Sequence, residues 1–327
     1  MAASALLSAL SPLNLTTWIA SIRPTLQPPV CNRMLYAPPG CVLQLMVVGG
    51  PNQRGDFHVE DGEELFFQLE GAMVLRVEER GALRDVAIPE GACLLLPGRV
   101  PHSPQRFAGT LGLVAERTRR PGEVDGLRWY TGGGGLLYEE TFACTDLATQ
   151  LAPVIARFRA SEAARTGAPA PGAPPSPLLL NTGVAVGEAD AAVPWAEAAG
   201  GGRGGAYSGP GAPAAREARE FLVDLLRGGG GGGGGGPDDA AARWASPVPL
   251  PHSELFVYVL RGSMGLHVSG GGADREVPMG AQDTLVVPGG APLLAAAGCG
   301  PLSARVSSLS DDCVCLLLRV AAPPGAE

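Results

Sequence analysis

One pattern occurs twice in this chain. Leu69-x-Gly71-x-Met73-x-Leu75-x-Val77 returns as Leu260-x-Gly262-x-Met264-x-Leu266-x-Val268, an offset of 191 residues. Leu94–Pro97 (LLLP) and Leu285–Pro288 (LVVP) stand at the same offset. Two matches at one spacing mark an internal duplication, so both copies should fold alike. Each copy places an apolar residue at every second position, the period of a strand with one buried face. Other short apolar runs surround the first copy: VLQLMVVGG (42–50), ELFFQLEG (64–71), CLLLPG (93–98) and LGLVAER (111–117). Around the second lie ELFVYVLRG (254–262), TLVVPGG (284–290) and CVCLLLRV (313–320). Strands this short, separated by Gly, Pro and Asp, belong to sandwiches or barrels. The sequence therefore predicts a mainly β protein of two similar barrels with a few peripheral helices.

Two helices are expected beside the strands. Asn14–Arg23 has amphipathic spacing and ends at Pro24. Within Thr145–Thr166, Leu147, Leu151, Ile155 and Phe158 recur every three to four residues, and Gly167 stands at the stop position. Domain boundaries follow: a first barrel over 1–167, a proline-rich linker over 168–177 (APAPGAPPSP), and a second barrel over 178–327. The second barrel contains a glycine-rich insert at about 198–240, including the run Gly228–Gly236, which is expected to be disordered.

Composition excludes several chemistries. All 24 basic residues are arginine. Without a lysine amine there is no Schiff-base catalysis and no lysine-bearing phosphate loop. A net charge of −8 argues against nucleic-acid binding. The seven cysteines form no CxxC pair, which reads as reduced thiols in a cytoplasmic protein. No apolar run is long enough to span a membrane. Met1–Leu13 lacks a basic segment of the targeting kind, although whether it is removed is left open.

The chemistry concentrates in GDFHVEDGEELFFQLEG (55–71) and GACLLLPGRVPHSPQR (91–106). These supply His58, Glu64 and His102, two imidazoles and a carboxylate on neighbouring strands. That donor set suits non-haem Fe(II) and leaves coordination positions open for substrate and dioxygen. Glu60 and Glu63 are rivals for the carboxylate position. Arg54 lies four residues before His58 and Arg106 four after His102. On strands, that spacing returns to the same face, so both guanidiniums are expected beside the metal, where a substrate carboxylate would be their partner. Glu116, at the end of LGLVAE, can accept a proton from a substrate or pair with Arg117 or Arg119.

The two segments resemble the paired motifs of cupins, double-stranded β-helix (jelly-roll) barrels, except that His58-Val59-Glu60 stands where cupins carry His-x-His. The resemblance narrows further. GGPNQRGDFHVEDGEELFFQLEGAMVLRV, LLPGRVPHSPQRFAGTLGLVAER and DLATQLAPVIARF are similar to the 3-hydroxyanthranilate 3,4-dioxygenase family, from about Trp18 to Gly167. The resemblance implies Fe(II) on His58, Glu64 and His102. It implies Arg54 and Arg106 at the substrate carboxylate and the dioxygen side, and Glu116 as substrate ligand or proton acceptor. The implied reaction opens the ring of 3-hydroxyanthranilate with O2 to 2-amino-3-carboxymuconate 6-semialdehyde, which cyclises to quinolinate, a precursor of NAD. The implied assembly is a monomer.

In the second copy His58 maps to Pro249, Glu64 to Leu255 and His102 to Leu293. All three ligands are lost, and that barrel is read as a degenerate cupin domain. Two other readings remain: another cupin enzyme acting on a small acid, or a non-enzymatic binding bicupin.

Overall fold

The computed structural model describes residues 2–27, 31–37, 41–172, 176–181, 183–184, 186, 190–191, 220–228, 243–250, 254–289 and 300–320. Most of the predicted glycine-rich insert, with Gly229–Gly236, lies outside the described residues, as do His252 and Leu293. The chain begins with α1 (Ala2–Ala9), β1 (Leu13–Asn14) and α2 (Leu15–Ile22). The first run of strands is β2 (Asn32–Tyr36), β3 (Leu43–Gly49), β4 (Asn52–Gln53), β5 (Phe57–Val59), β6 (Glu64–Glu70), β7 (Met73–Glu79), β8 (Ala82–Ile88), β9 (Ala92–Leu96), β10 (His102–Arg106), β11 (Leu111–Arg117), β12 (Asp125–Tyr130) and β13 (Leu136–Phe142). After α3 (Leu147–Ala160) and α4 (Glu162–Thr166) come β14 (Asp190–Ala191), β15 (Phe221–Arg227), β16 (Val248–Leu250), β17 (Leu255–Arg261), β18 (Met264–Gly270), β19 (Ala273–Met279), β20 (Asp283–Val287), β21 (Leu302–Leu309) and β22 (Val314–Val320).

The fold is mainly β and cupin-like, as the alternation and turn spacing require. The first half forms two sheets, ordered β13-β12-β5-β10-β7-β8 (with β4 on β10) and β14-β9-β6-β11-β3-β2. The second half repeats this as β16-β21-β18-β19 and β1-β20-β17-β22-β15. In chain order, β9-β6-β11-β3 and β20-β17-β22-β15 are the same arrangement, which gives the 191-residue repeat its structural form. Both expected helices are present. Asn14 caps α2 by accepting from the Thr17 N–H at 3.1 Å. The long second helix breaks at Ser161, whose hydroxyl caps α4. Gly167 ends α4 with φ 69°, a left-handed backbone that glycine adopts without steric cost.

The two halves pack back to back through one apolar layer. Leu43, Leu45, Leu65, Phe67, Leu113 and Ala115 of the first half meet Phe221, Val223, Phe256, Tyr258, Leu316 and Leu318 of the second. Phe67 and Tyr258, again 191 apart, meet edge to face at 5.9 Å. Two glutamates at the same offset lock the layer reciprocally. The Glu63 carboxylate accepts from the backbone N–H groups of Glu220 (3.0 Å) and Phe221 (2.9 Å), where β15 starts. Glu254 accepts from Val42 (3.0 Å) and Leu43 (2.8 Å), where β3 starts. Each carboxylate satisfies strand-end donors that the contact removes from water.

Chain ends cross this layer in both directions. Leu7 and Leu10 pack into the core of the second barrel, the Arg275 side chain donates to the Leu7 carbonyl, and β1 pairs with β20. Val186 enters the first barrel's core, and β14 pairs with β9. Residues 2–14 thus sit on the barrel opposite to the one a cut at 167 assigns them, and so do Val186 and β14. Apolar periodicity marks a segment as buried without naming the surface that buries it.

Removing either glutamate strands two backbone donors. Glu63→Ala and Glu254→Ala are each expected to lower unfolding free energy by about 1–3 kcal/mol, read as a fall in urea midpoint. Glu162→Ala, on an exposed pair with Arg165, is expected to change it by less than about 0.5 kcal/mol.

Candidate metal and substrate site

The interior of the first barrel is where its polar residues collect, and strand register explains how. β10 pairs antiparallel with β5 so that His102 lies directly opposite His58. Cross-strand partners share a face, and the two rings approach edge to face at 5.4 Å between centroids. From the opposing sheet, β6 projects Glu64, whose Oε2 stands 2.9 Å from His102 Nε2. One donor atom from each of His58, Glu64 and His102 lies within 4.8 Å of the others. Among the described residues this is the one such group of metal-capable side chains.

Both candidate histidine ligands are braced from behind. His102 Nδ1 is 2.9 Å from the Val100 carbonyl, leaving Nε2 turned toward Glu64. His58 Nε2 is 2.7 Å from Asp125 Oδ2, which leaves its other nitrogen for a ligand. A ligating histidine commonly holds its second nitrogen on a carboxylate or carbonyl in this way. Burial lowers the His58 pKa, with Asp125 opposing. For Glu64, burial favours the neutral acid, but His102 together with His58 and Arg119 outweighs it and the pKa is lowered. Glu64 Oε2 is buried and, apart from its 2.9 Å approach to His102 Nε2, has no hydrogen-bond partner. An ionised, orphaned carboxylate oxygen between two imidazoles fits a divalent cation, and the donor set of two nitrogens and one carboxylate suits iron.

A second rung lies one repeat along the same strands. Arg106 stands four residues beyond His102, and Gln68 four beyond Glu64. The Arg106 Nη1 donates to Gln68 Oε1 at 3.3 Å. Arg106 is 2% exposed and has no ion pair within 4 Å among the described residues. Burial lowers its pKa to about 10, with Glu64 acting in the opposite direction. Gly112 makes room for this rung: a Cβ there would meet Arg106 Nη1 at 2.4 Å and Gln68 Oε1 at 2.8 Å.

Arg54 is placed differently. Residues 54–56 form a bend ahead of β5, so the alternation that carries Arg106 to the site face does not extend back from His58 to Arg54. Its guanidinium pairs with Asp56, and its carbonyl accepts from Gln105 Nε2 at 2.8 Å. Of the rival carboxylates, Glu63 belongs to the inter-barrel lock. Glu60 is buried and paired with Arg119 at 2.8 Å. Glu116 is buried too and also paired with Arg119, at 2.8 Å. Burial raises its pKa to about 7, with Arg119 opposing. Gln68, Arg119 and Asp125 were not singled out as site residues from sequence. Asp125 lies outside the two motif segments, 67 residues from His58, whereas Gln68 lies inside the first segment, four residues beyond Glu64, so the strand period could have found it.

These features define a cupin-type β protein with a metal-capable His/Glu/His centre. In fold, the chain is similar to a solved salicylate 1,2-dioxygenase from Pseudaminobacter salicylatoxidans. The TM-score is 0.51 at 14% identity, covering 95% of this chain and 84% of that one. At the level of sequence, residues 7–159 match the family model for 3-hydroxyanthranilic acid dioxygenase. The 3-hydroxyanthranilate 3,4-dioxygenase of Homo sapiens is 53% identical over 171 residues, 51% of this chain and 59% of that protein. That of Rattus norvegicus is 54% identical over 167 residues, 50% of this chain and 57% of that protein. The matched region spans less than two thirds of these relatives. No helix among the described residues is long and apolar enough to cross a membrane.

His102→Ala removes one of the three candidate ligands. Wild-type protein is expected to bind one Co(II) or Fe(II) per chain in equilibrium dialysis, and the variant to bind at least ~10-fold more weakly.

Proposed function

We propose that this protein is a 3-hydroxyanthranilate 3,4-dioxygenase: an Fe(II)-dependent enzyme that opens the ring of 3-hydroxyanthranilate with O2. The observation that carries the reading is Arg106. A guanidinium buried without an anion is costly, and this one sits one strand repeat from the metal-capable triad, in the half of the chain that matches the family. A substrate carboxylate supplies the missing anion, held by a planar fork.

His58, Glu64 and His102 would hold Fe(II), which supplies the Lewis acidity and redox chemistry that dioxygen needs to react with an aromatic ring. The remaining roles fall to the chain. Arg106, held at Nη1 by Gln68, binds and orients the substrate carboxylate. Glu116 accepts the proton of the substrate hydroxyl at a carboxylate oxygen, and its raised pKa keeps it basic enough to do so near neutrality. Arg54 is assigned to the dioxygen side of the site, which requires it to leave Asp56 when substrate enters. The product, 2-amino-3-carboxymuconate 6-semialdehyde, takes up both oxygen atoms and leads to quinolinate and NAD. We assign the second barrel no metal and a supporting role, and the working unit is a cytoplasmic monomer. The filled inter-barrel layer and the loss of ligand residues at Pro249 and Leu255 support that reading.

The test is protein loaded anaerobically with Fe(II), then given O2 and 3-hydroxyanthranilate. Transient semialdehyde absorbance with one O2 consumed per substrate is expected; intact substrate and no oxygen uptake would reject the assignment. Arg106→Ala should raise KM by about 10–150-fold, the loss of a charged hydrogen bond of about 1.5–3 kcal/mol. Glu116→Gln should lower kcat by about 10²–10⁴-fold. Because Glu116 must be deprotonated to accept a proton, kcat/KM should fall as pH drops below about 7. A bound divalent cation moves that fall to lower pH, and Glu116→Gln should abolish it.

A further inference from the structure

We propose that Arg119 is a positioning residue for the reaction assigned above: one guanidinium fork that fixes the proton acceptor Glu116 directly and the metal ligand His58 through Asp125. The inference rests on that assignment. Arg119 lies between β11 and β12, and its side chain is 8% exposed. Its Nε donates to Asp125 Oδ1 at 2.9 Å and its Nη2 to Asp125 Oδ2 at 2.7 Å. Its Nη1 stands 2.8 Å from Glu116 Oε2 and 2.8 Å from Glu60 Oε2. The three carboxylates come from three places: Glu60 follows β5, Glu116 lies on β11, and Asp125 opens β12. One side chain thus ties together the ends of three strands around the site.

The chain of contacts reaches the chemistry at two points. Asp125 Oδ2, held by the fork, is the atom that meets His58 Nε2 at 2.7 Å. It therefore sets the orientation of that ring and which nitrogen faces the metal. Glu116 is the group that must meet a substrate proton, and Arg119 holds one of its oxygens. Glu60 has no other hydrogen-bond partner at either oxygen; Arg119 Nη1 is its ion-pair contact, at 2.8 Å. The arrangement depends on shape as well as charge. A guanidinium directs separate N–H groups along fixed directions, two to Asp125 and the third nitrogen between two further acids, whereas an ammonium is a point charge on a flexible stem. Arg117, two residues earlier, is as deeply buried but faces away, pairing with Glu123 at 2.6 Å and with Glu220 at 2.8 Å. It supplies a control for the loss of a buried arginine as such.

Full-length wild-type protein, Arg119→Lys, Asp125→Asn, the double variant and Arg117→Lys are compared. Co(II) alone, titrated against a competing chelator, reports the metal site without turnover, and Fe(II)-loaded protein gives kcat and KM. Arg119→Lys keeps the charge and loses the fork. It is expected to weaken Co(II) binding and lower kcat, each by about 10-fold or more, with KM within about threefold because Arg106 is untouched. Asp125→Asn should weaken Co(II) binding alike, and in Co(II) affinity the double variant should be little worse than either single, since both break the one linkage to His58. Arg117→Lys should leave the Co(II) Kd unchanged. The proposal is overturned if Arg119→Lys matches wild type in Co(II) affinity and kcat. It is equally overturned if the two single effects on Co(II) affinity add in full, or if Arg117→Lys weakens Co(II) as much. Should Arg119→Lys not fold, Asp125→Asn alone decides, with a wild-type Co(II) Kd counting against the proposal. Failure of wild-type protein to consume 3-hydroxyanthranilate rejects the assigned reaction, and the Co(II) measurements still decide whether Arg119 positions His58.

Discussion

The architecture of the first barrel turns on the two faces of one strand. Along β6, Leu65 and Phe67 point into the layer shared with the second barrel, while Phe66 points into the first barrel's own interior beside Glu64 and Gln68. A strand gives alternate residues to opposite sides, so inter-barrel packing and site geometry cannot be adjusted independently. A slip of one residue would send Glu64 into the apolar layer and Leu65 into the site. The layer holds that register, because a shift would bury the Glu64 and Gln68 side chains in the apolar contact that Leu65 and Phe67 now fill.

The same logic explains why the site tolerates so much buried charge. Glu60, Glu64, Glu116 and Asp125 are all buried in one barrel. Burial opposes ionisation for each of them, and Asp125 and Glu64 stay below their ordinary pKa values through Arg119 and His102 respectively. Glu60 and Glu116 are pushed upward. Like carboxylates sharing one low-dielectric site spread their pKa values apart, and a protein that needs one group ionised and another able to take a proton gains from that spread. Arg106 is the mirror case, a cation whose only polar partner among the described residues is the neutral amide of Gln68.

Much of this was legible in the residues. Period two and the 191-residue offset announced two similar barrels, and the spacing of His58, Glu64 and His102 picked out a group that the strands do bring together. Arg106 followed from the same period because β10 runs unbroken from His102. Arg54 is set apart from it because the bend at 54–56 interrupts the alternation on which that reading depended. Asp125 was not legible, since it reaches the site through His58, 67 residues away; Gln68 and Arg119 carried local signals, four residues beyond Glu64 and three beyond Glu116, but not the partners they meet across the barrel.

Local sequence determined the elements, their apolar faces and the donor types, because alternation, caps and turn residues act over a few positions. It also determined what chemistry was excluded, as the absence of lysine shows. Tertiary structure decided which faces meet. It set His58 opposite His102 through the β5–β10 register and gathered three carboxylates onto Arg119. It sent residues 2–14 to the far barrel, and it matched Glu63 and Glu254 as reciprocal locks. Those outcomes rest on the pairing of surfaces far apart in the chain, and no period or motif within a single segment encodes its partner.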